Sequence, residues 1–180
     1  MWEPRRTCDD LCDRISAADI GLETVFTIEA LSPEAPNAHA IIRSYMFELA
    51  SRYYGRPATP DEVEQALRDE PYDDLTGSTG VLLIAMQDGE PIACAGARFD
   101  GAVAELTKVF TLPEYRGQGL GKRLLRRIED VCRARGVDVV RLDTRSDLVE
   151  AHALYEGLGF ARVEAFNSDA YAEVWYAKSL

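Results

Sequence analysis

Cysteine and histidine are scarce in this sequence, and their spacing does not form a metal-binding pattern. Its 180 residues include four cysteines and two histidines. Cys8 and Cys12 have the spacing of neighbours on a helix, but no second pair of Cys or His lies nearby to complete a zinc site. Cys94 and Cys132 stand in apolar stretches, so we expect them to be buried, reduced thiols. The sequence therefore predicts no metal site.

Long apolar runs and an excess of positive charge are also missing. No stretch approaches the roughly 20 apolar residues of a membrane-spanning helix, and the first residues lack the apolar segment of a secretory signal peptide. The formal net charge is −11, which argues against nucleic acid or an anionic membrane as the main partner. We therefore expect a cytoplasmic protein, and its acidity is compatible with a cationic substrate such as a small amine.

The apolar residues recur at spacings that predict strands and helices in one domain at 21–180, preceded by a polar arm at 1–20. Thr59-Pro60-Asp61-Glu62 has the signals of a helix start, and Asn37 is a candidate cap of the helix before it. We predict strands at 24–28, 80–86, 92–99, 102–112, 137–144, 160–166 and 171–177, and helices at 37–54, 60–69, 148–157 and from Leu120 onward. This order predicts a mixed α/β (α+β) fold, with helices on both faces of one sheet.

A glycine-rich turn, Arg116-Gly117-Gln118-Gly119-Leu120-Gly121, joins a predicted strand to an amphipathic helix. This arrangement directs unpaired backbone N–H groups and the positive end of the helix dipole at one point, where a phosphate is the expected ligand. The order of the glycines does not match the dinucleotide-binding fingerprint. Gly121-Lys122-Arg123 also lacks the hydroxyl of a P-loop. A tight strand-to-helix connection without a ligand is the alternative.

A second pattern, Leu154-Tyr155-x-x-x-Gly159-Phe160, lies downstream of this turn. Together with Arg-x-x-Gly-x-Gly in the turn, it resembles the GNAT superfamily of acetyl-CoA-dependent N-acyltransferases. The resemblance is closest over about residues 80–166. It implies a GNAT-like fold, in which a mixed, mostly antiparallel sheet of six to seven strands has splayed central strands.

The resemblance implies acetyl-CoA as the co-substrate. The strand before the turn would pair with the pantetheine arm, and backbone N–H groups of the turn would hold the pyrophosphate. Glycine suits such a turn because it permits close approach and a positive φ. The implied coenzyme-binding residues are Val109, Phe110, Thr111, Arg116, Gly117, Gln118, Gly119, Leu120, Gly121 and Lys122.

Two residues are implied to be catalytic. Tyr155 matches the family tyrosine that protonates the leaving thiolate, and aromatic packing is its alternative role. Glu105 stands where one branch of the family has its general base, although many members rely on water. The alternative for Glu105 is a solvent-facing or salt-bridged strand residue. Leu148 replaces an asparagine that is frequent in the family, so the coenzyme contact of that asparagine is not expected here, and His152 is expected at the surface.

The acceptor site is implied to lie among the first two helices, their loops and the final strands. Candidate substrate-binding residues are Glu48, on the helical face of Ile41 and Tyr45, and the loop residues Asp74, Asn167 and Tyr171. The implied function is transfer of an acetyl group to a primary amine of a small molecule by direct nucleophilic attack. A protein or peptide N-terminus or lysine is an alternative acceptor, and a non-catalytic acyl-CoA-binding module is an alternative function. A homodimer also remains open.

Overall fold

The computed structural model describes residues 26–180, which form one mixed sheet flanked by helices. The predicted arm at 1–20 and the predicted domain boundary at 21 lie outside these residues. The strands are β1 (Thr27–Ala30), β2 (Gly80–Gln87), β3 (Glu90–Asp100), β4 (Val103–Thr111), β5 (Val139–Thr144), β6 (Ala161–Val163) and β7 (Val174–Ser179). The helices are α1 (Pro36–Tyr54), α2 (Pro60–Asp69), α3 (Leu120–Ala134) and α4 (Val149–Gly157).

The strands are arranged in the order β1-β2-β3-β4-β5-β7-β6. All neighbouring pairs are antiparallel except β4 and β5, which run parallel. One core cluster contains the apolar side of α3 together with Tyr155 of α4, and the other contains the apolar sides of α1 and α2. The predicted mixed, mostly antiparallel sheet with helices on both faces is therefore confirmed. No helix within residues 26–180 is long and apolar enough to cross a bilayer.

The two central strands, β4 and β5, separate soon after they begin. They pair at Val103–Val139, Ala104–Val140 and Glu105–Arg141 and at no later position, although both strands continue. The predicted splay of the central strands is confirmed. It leaves a gap between the later halves of β4 and β5, where neither strand satisfies the backbone groups of the other.

A bulge in β4 lies beside this gap. Thr107 pairs with Gly96 and Phe110 pairs with Cys94, so Lys108 and Val109 together face a single residue of β3. Such an insertion bends the strand and changes the direction of its side chains. Lys108 has a φ of +54°, in the left-handed region that is sterically unfavourable for residues other than glycine. The bulge places Lys108 and Val109 at the point where β4 leaves β5.

Of the two helix caps predicted from the sequence, the structure confirms one and contradicts the other. Thr59 caps α2 as predicted, since its hydroxyl accepts from the Glu62 N–H at 3.4 Å and Glu62 accepts from the Thr59 N–H at 2.8 Å. The prediction that Asn37 caps α1 is wrong. Pro36 already occupies the first helical position, and the Asn37 side-chain amide points to the Met86 sulfur, 3.9 Å away.

The last two strands are shorter than predicted. Residues 164–173 leave the sheet between β6 and β7. Within this segment, Asn167 makes side-chain hydrogen bonds with Asp143 of β5 and Trp175 of β7. The loop is therefore held by side chains across the sheet end rather than by strand pairing, which the local sequence pattern could not indicate.

The capping box of α2 gives a prediction about stability. Thr59→Ala removes the acceptor of the Glu62 N–H and should lower the free energy of unfolding by about 1 kcal/mol. Urea denaturation measures this change. Thr59→Ser keeps a hydroxyl acceptor and should stay close to the wild type. An alanine variant as stable as the wild type would contradict the role given to this cap.

Candidate active site

A groove, here called the turn groove, runs from the end of β4 past the glycine-rich turn to α4. It encloses about 430 Å³. Nine of the ten residues that the sequence assigned to coenzyme binding line it, all but Gln118. They are Val109, Phe110, Thr111, Arg116, Gly117, Gly119, Leu120, Gly121 and Lys122. The structure therefore brings the strand end and the turn together along one groove.

The backbone of the turn is shaped by glycines. Gly117 and Gly119 have φ values of +76° and +77°, and Gly119 is the N-cap residue of α3 without a side-chain cap. The first N–H groups of α3 have no intrahelical partner and no side-chain cap, and they form the positive end of the helix dipole. At Gly121, an added Cβ would lie 3.1 Å from Cδ2 of Leu154. This glycine allows α3 and α4 to approach each other closely.

The side chain of Arg116 is turned away from the turn. Its Nε donates to the Thr111 carbonyl at 3.0 Å, and its Nη2 lies 2.5 Å from Oε2 of Glu48. The Arg116 N–H donates to the Pro113 carbonyl. Gln118 also bonds locally, since its amide donates to the Glu114 carbonyl at 3.4 Å. Gln118 therefore stabilises the turn itself, and Arg116 connects the turn to the end of β4 and to α1.

A second cavity, here called the inner pocket, lies at the other side of the gap between β4 and β5. It encloses about 570 Å³. Glu105, Asp143, Lys108 and Tyr171 are among the residues of its wall. The turn groove and the inner pocket meet at the gap, since they share Tyr45, Leu49, Val109, Leu148, Ala151 and Tyr155. A ligand in one cavity can thus contact a ligand in the other.

Tyr155 stands where the two cavities meet. Its ring is 6% exposed and packs against Phe160 and Tyr176, with ring centroids 6.0 and 5.9 Å apart. Burial raises the pKa of the Tyr155 hydroxyl, and the negative charge of Asp143 raises it further. Within residues 26–180, no group accepts a hydrogen bond from this hydroxyl. Tyr155 therefore both packs in the core and presents a protonated hydroxyl to the gap.

Glu105 reaches the inner pocket in an ion pair. Its Oε2 lies 3.1 Å from Nη2 and 3.2 Å from Nε of Arg141, the residue opposite it on β5. The guanidinium of Arg141 in turn lies over the Phe166 ring, 4.2 Å from its centroid. Both ends of this pair are thus fixed.

The inner pocket also contains charged residues that were not predicted from the sequence. Lys108 has a side chain that is only 2% exposed, and its Nζ lies 2.7 Å from Oε2 of Glu70. Burial lowers the pKa of Lys108, while the Glu70 carboxylate acts in the opposite direction. Asp143 lies on β5, and its Oδ1 accepts from Asn167 at 2.8 Å. Both Lys108 and Asp143 are charged residues within strands that are rich in apolar residues. This was the sequence signal that could have marked them as candidate site residues.

The predicted substrate-binding residues are spread over several places. Glu48 lies in the turn groove, paired with Arg116 and Arg52, and not in the inner pocket. Asp74 pairs with Arg98 at 2.6 Å and lies behind the pocket wall. Tyr171 lines the inner pocket. Asn167 contacts the pocket through Asp143.

His152 is buried, so the prediction of a surface histidine is wrong. It is 8% exposed, and its two ring nitrogens lie 2.9 Å from the Tyr176 hydroxyl and 3.0 Å from the Arg145 carbonyl. The contact with Tyr176 spans 24 residues and leaves no trace in the spacing of α4. His152 connects α4 to β7 and to Arg145, the residue that follows β5, and thereby supports Tyr155, one turn away on the same helix.

A larger cavity, of about 800 Å³, lies between α1 and α2. Its arginines are already paired with carboxylates, Arg43 with Glu64 and Arg56 with Glu62. It contains neither the glycine turn nor Tyr155. Although this cavity is larger than the turn groove and the inner pocket, it lacks the residues that are candidates for coenzyme binding at the turn and for catalysis. Within residues 26–180, no group of three or more His, Cys, Asp or Glu is placed to hold a metal ion.

Comparison with known proteins identifies the family. Residues 43–160 match the model of the acetyltransferase (GNAT) family. The chain is 37% identical over 81 residues to IAA acetyltransferase of Azospirillum brasilense, a match that covers 44% of this chain and 53% of that protein. It is 38% identical over 74 residues to the ribosomal protein bS18-alanine N-acetyltransferase of Escherichia coli, covering 41% and 50%. The chain thus matches about half the length of each of these relatives.

The fold is also similar to that of a solved N-acetyltransferase structure. The structure of PaiA N-acetyltransferase from Thermoplasma acidophilum, in complex with coenzyme A, superposes with a TM-score of 0.70 at 20% sequence identity. The superposition covers 87% of this chain and 99% of that one. At this identity the likeness concerns the fold alone. Together with the match to the family model over most of the described residues, it shows that the chain belongs to the GNAT family of acetyltransferases.

Proposed function

We propose that this protein transfers an acetyl group from acetyl-CoA to a primary amine of a small molecule. The observation that supports this most is the meeting of two cavities at Val109 and Tyr155. One cavity has a turn whose geometry suits a phosphate, and the other has a polar, charged wall. A thioester in the turn groove and an amine in the inner pocket would therefore meet in the gap between β4 and β5.

The residues of the turn groove fit coenzyme A. Beyond Glu105, β4 does not pair with β5, so the backbone groups on this edge are open to the amides of a pantetheine arm. The uncapped N-terminus of α3 and the positive-φ glycines suit a pyrophosphate. In this proposal the backbone N–H of Val109 or Phe110 polarises the thioester carbonyl. When bound, the coenzyme supplies the activated acetyl group.

Tyr155 is proposed as the general acid. The neutral amine nitrogen attacks the thioester carbonyl carbon and forms a C–N bond, and the nitrogen loses one N–H proton. The sulfur leaves with the electron pair of the C–S bond. The Tyr155 hydroxyl then gives its proton to this sulfur. Because burial raises the pKa of Tyr155, the hydroxyl stays protonated at working pH and is available as a donor.

The buried thiols support direct attack without an acyl-cysteine. Burial raises the pKa of Cys94 to about 12 and that of Cys132 to about 11. The Cys94 thiol donates to the Lys108 carbonyl, 3.1 Å away. A nucleophilic cysteine needs a thiolate, and neither residue holds one near neutral pH. The amine itself is therefore the nucleophile in this proposal.

The inner pocket supports a cationic acceptor. Lys108 and Arg98, two cations of its wall, are already paired with Glu70 and Asp74. The carboxylates of Asp143 and Asp169 have no such cationic partner within the described part of the chain. An acceptor that enters as an ammonium ion would complement these charges. Glu48 and Tyr171 remain predicted contacts, and the homodimer and the cytoplasmic location also stay predictions.

A panel of acceptors tests the function. Release of free coenzyme A should follow the addition of small primary amines, and mass spectrometry should show an amide with one added acetyl group. Peptides with a free N-terminus or a lysine form the second arm of the panel. Faster turnover on peptides would favour the protein-acceptor alternative. Binding of acetyl-CoA without turnover on any amine or peptide would favour the non-catalytic module.

The turn glycines give a prediction about coenzyme binding. Gly119→Ala adds a Cβ at a φ of +77°, where alanine is strained, in a turn proposed to hold the pyrophosphate. The coenzyme A dissociation constant should rise about tenfold, which corresponds to about 1.4 kcal/mol, and calorimetry measures it. Gly101→Ala imposes the same strain in the hairpin between β3 and β4, away from the groove. Equal affinity losses in both variants would contradict the assignment of the turn.

Tyr155 gives a prediction about turnover. Tyr155→Phe keeps the ring that packs against Phe160 but removes the proton donor. The kcat should fall about a hundredfold, while the KM for acetyl-CoA changes little. Tyr54→Phe, at an exposed position on α1, is the matched control and should keep wild-type kcat. An unchanged kcat in Tyr155→Phe would remove the acid role.

A further inference from the structure

Asp143 lies on β5 just beyond the last residue that pairs with β4. That last pair is Glu105–Arg141, so Asp143 follows at the place where the strands have separated. Side chains two residues apart on a strand point to the same face, which puts Asp143 on the side of Arg141. Asp143 lines the inner pocket together with Tyr155 and Val109. Its carboxylate therefore faces the place where an amine would meet the thioester.

Hydrogen bonds with Asn167 and, through it, with Trp175 fix the orientation of the Asp143 carboxylate. Nδ2 of Asn167 donates to Oδ1 of Asp143 at 2.8 Å and also lies 3.2 Å from Oδ2 of Asp169. The indole N–H of Trp175 donates to Oδ1 of Asn167 at 2.7 Å. Because an indole can only donate, it fixes which end of the Asn167 amide faces Asp143. The other oxygen of Asp143, Oδ2, accepts no hydrogen bond from a side chain within residues 26–180.

The charges that face Asp143 favour its protonated form. Burial raises the pKa of Asp143, and the carboxylates of Asp169 and Glu70 also raise it, whereas the Asn167 hydrogen bond lowers it. The nearby cations have other partners: Lys108 pairs with Glu70, Arg141 with Glu105 and Arg145 with Asp147. Two of the phenols in the pocket wall, those of Tyr45 and Tyr155, have a raised pKa and are neutral near pH 7.

Glu105 is less available for proton transfer. Protonation of Glu105 at either oxygen would remove the negative charge that pairs with Arg141. The guanidinium of Arg141, which is itself fixed over Phe166, would then lose its partner. Asp143 has no such pair to break. Its raised pKa brings it closer to the pH at which a carboxylate is an effective general base.

We propose that Asp143 is the general base of the reaction and accepts the proton that the amine loses. This inference rests on the proposed acetyl transfer to an amine. The acceptor, bound as an ammonium ion, first releases one proton to solvent. Its neutral nitrogen then forms its bond to the acetyl carbon, and one N–H proton passes to Oδ2 of Asp143. The thiolate leaves with the C–S electron pair and takes the Tyr155 proton. After product release, the proton on Asp143 passes to solvent and Tyr155 is reprotonated, so the net products are the amide and free coenzyme A.

The sign of the pH dependence follows from this role. The base works only when it is ionised, so kcat/KM should rise with pH through the pKa of Asp143. This acid limb should lie above the ordinary aspartate value of about 3.9. Asp143→Asn is nearly isosteric, and it should lower kcat about a hundredfold or more and abolish the limb. Asp130→Asn, at an exposed position on α3, controls for the loss of one carboxylate and should keep wild-type kcat.

Two neighbouring variants should move the limb in opposite directions. Asp169→Asn removes a like charge and should shift it to lower pH, whereas Asn167→Ala removes a donor to the ionised form and should shift it to higher pH. Glu105→Gln should leave the limb in place, whatever its effect on the rate. A limb that vanishes in Glu105→Gln and persists in Asp143→Asn would overturn the assignment.

A readout that does not need turnover completes the test. Carbon-13 NMR of carboxyl-labelled aspartate should show one signal that titrates above the ordinary range and is absent from Asp143→Asn. A titration of that signal at or below the ordinary range would overturn the proposal. Calorimetry should show that Asp143→Asn still binds coenzyme A with wild-type affinity. A wild type that acetylates no amine contradicts the acetyl transfer itself, whereas an active wild type whose rate ignores Asp143 contradicts only the role of Asp143.

Discussion

The separation of β4 from β5 is the constraint on which the site depends. Parallel neighbours normally share hydrogen bonds along their whole length, but here pairing ends at Glu105 and Arg141 while both strands continue. The backbone groups beyond this point need other partners, because buried N–H and C=O groups are costly to leave unsatisfied. The gap also joins the turn groove to the inner pocket.

Packing on both faces keeps this gap in position. On one face, Gly121 lets α3 approach Leu154 of α4, and this brings Tyr155 to the end of the gap. On the other face, the bulge at Lys108 bends β4, and the ion pair of the buried Lys108 with the partly exposed Glu70 ties the strand to the end of α2. Removal of Glu70 would be destabilising, because the Lys108 charge would stay buried without compensation. The strained backbone at Lys108 is thus maintained by contacts around it.

The local features of this fold could be predicted from the sequence. The α2 cap at Thr59, the glycine turn and the order of strands and helices all arise from residues close together in the chain. The family resemblance added the splay and matched Tyr155 to the family tyrosine that protonates the leaving thiolate. The predictions that failed, at Asn37 and His152, concerned side chains whose partners lie far away in sequence.

The chemistry of the inner pocket could be predicted only in part, for the same reason. Asp143 occurs within an apolar strand, and its significance depends on Asn167 and Trp175, which reach it from the loop before β7 and from β7 itself. Glu105 was a candidate from its position in β4, but its partner Arg141 is a feature of strand pairing. The sequence shows which acidic residues are present, but only the folded sheet shows which of them lie together in one site.

Hydrogen–deuterium exchange with and without coenzyme A tests the central claim, that the gap between β4 and β5 is the coenzyme site. Saturating coenzyme should slow exchange of the backbone amides at 106–111 and at 117–122, because the ligand takes the place of the missing strand partner and of the missing helix cap. Protection confined to the cavity between α1 and α2, or binding without protection of either segment, would contradict this account of the site.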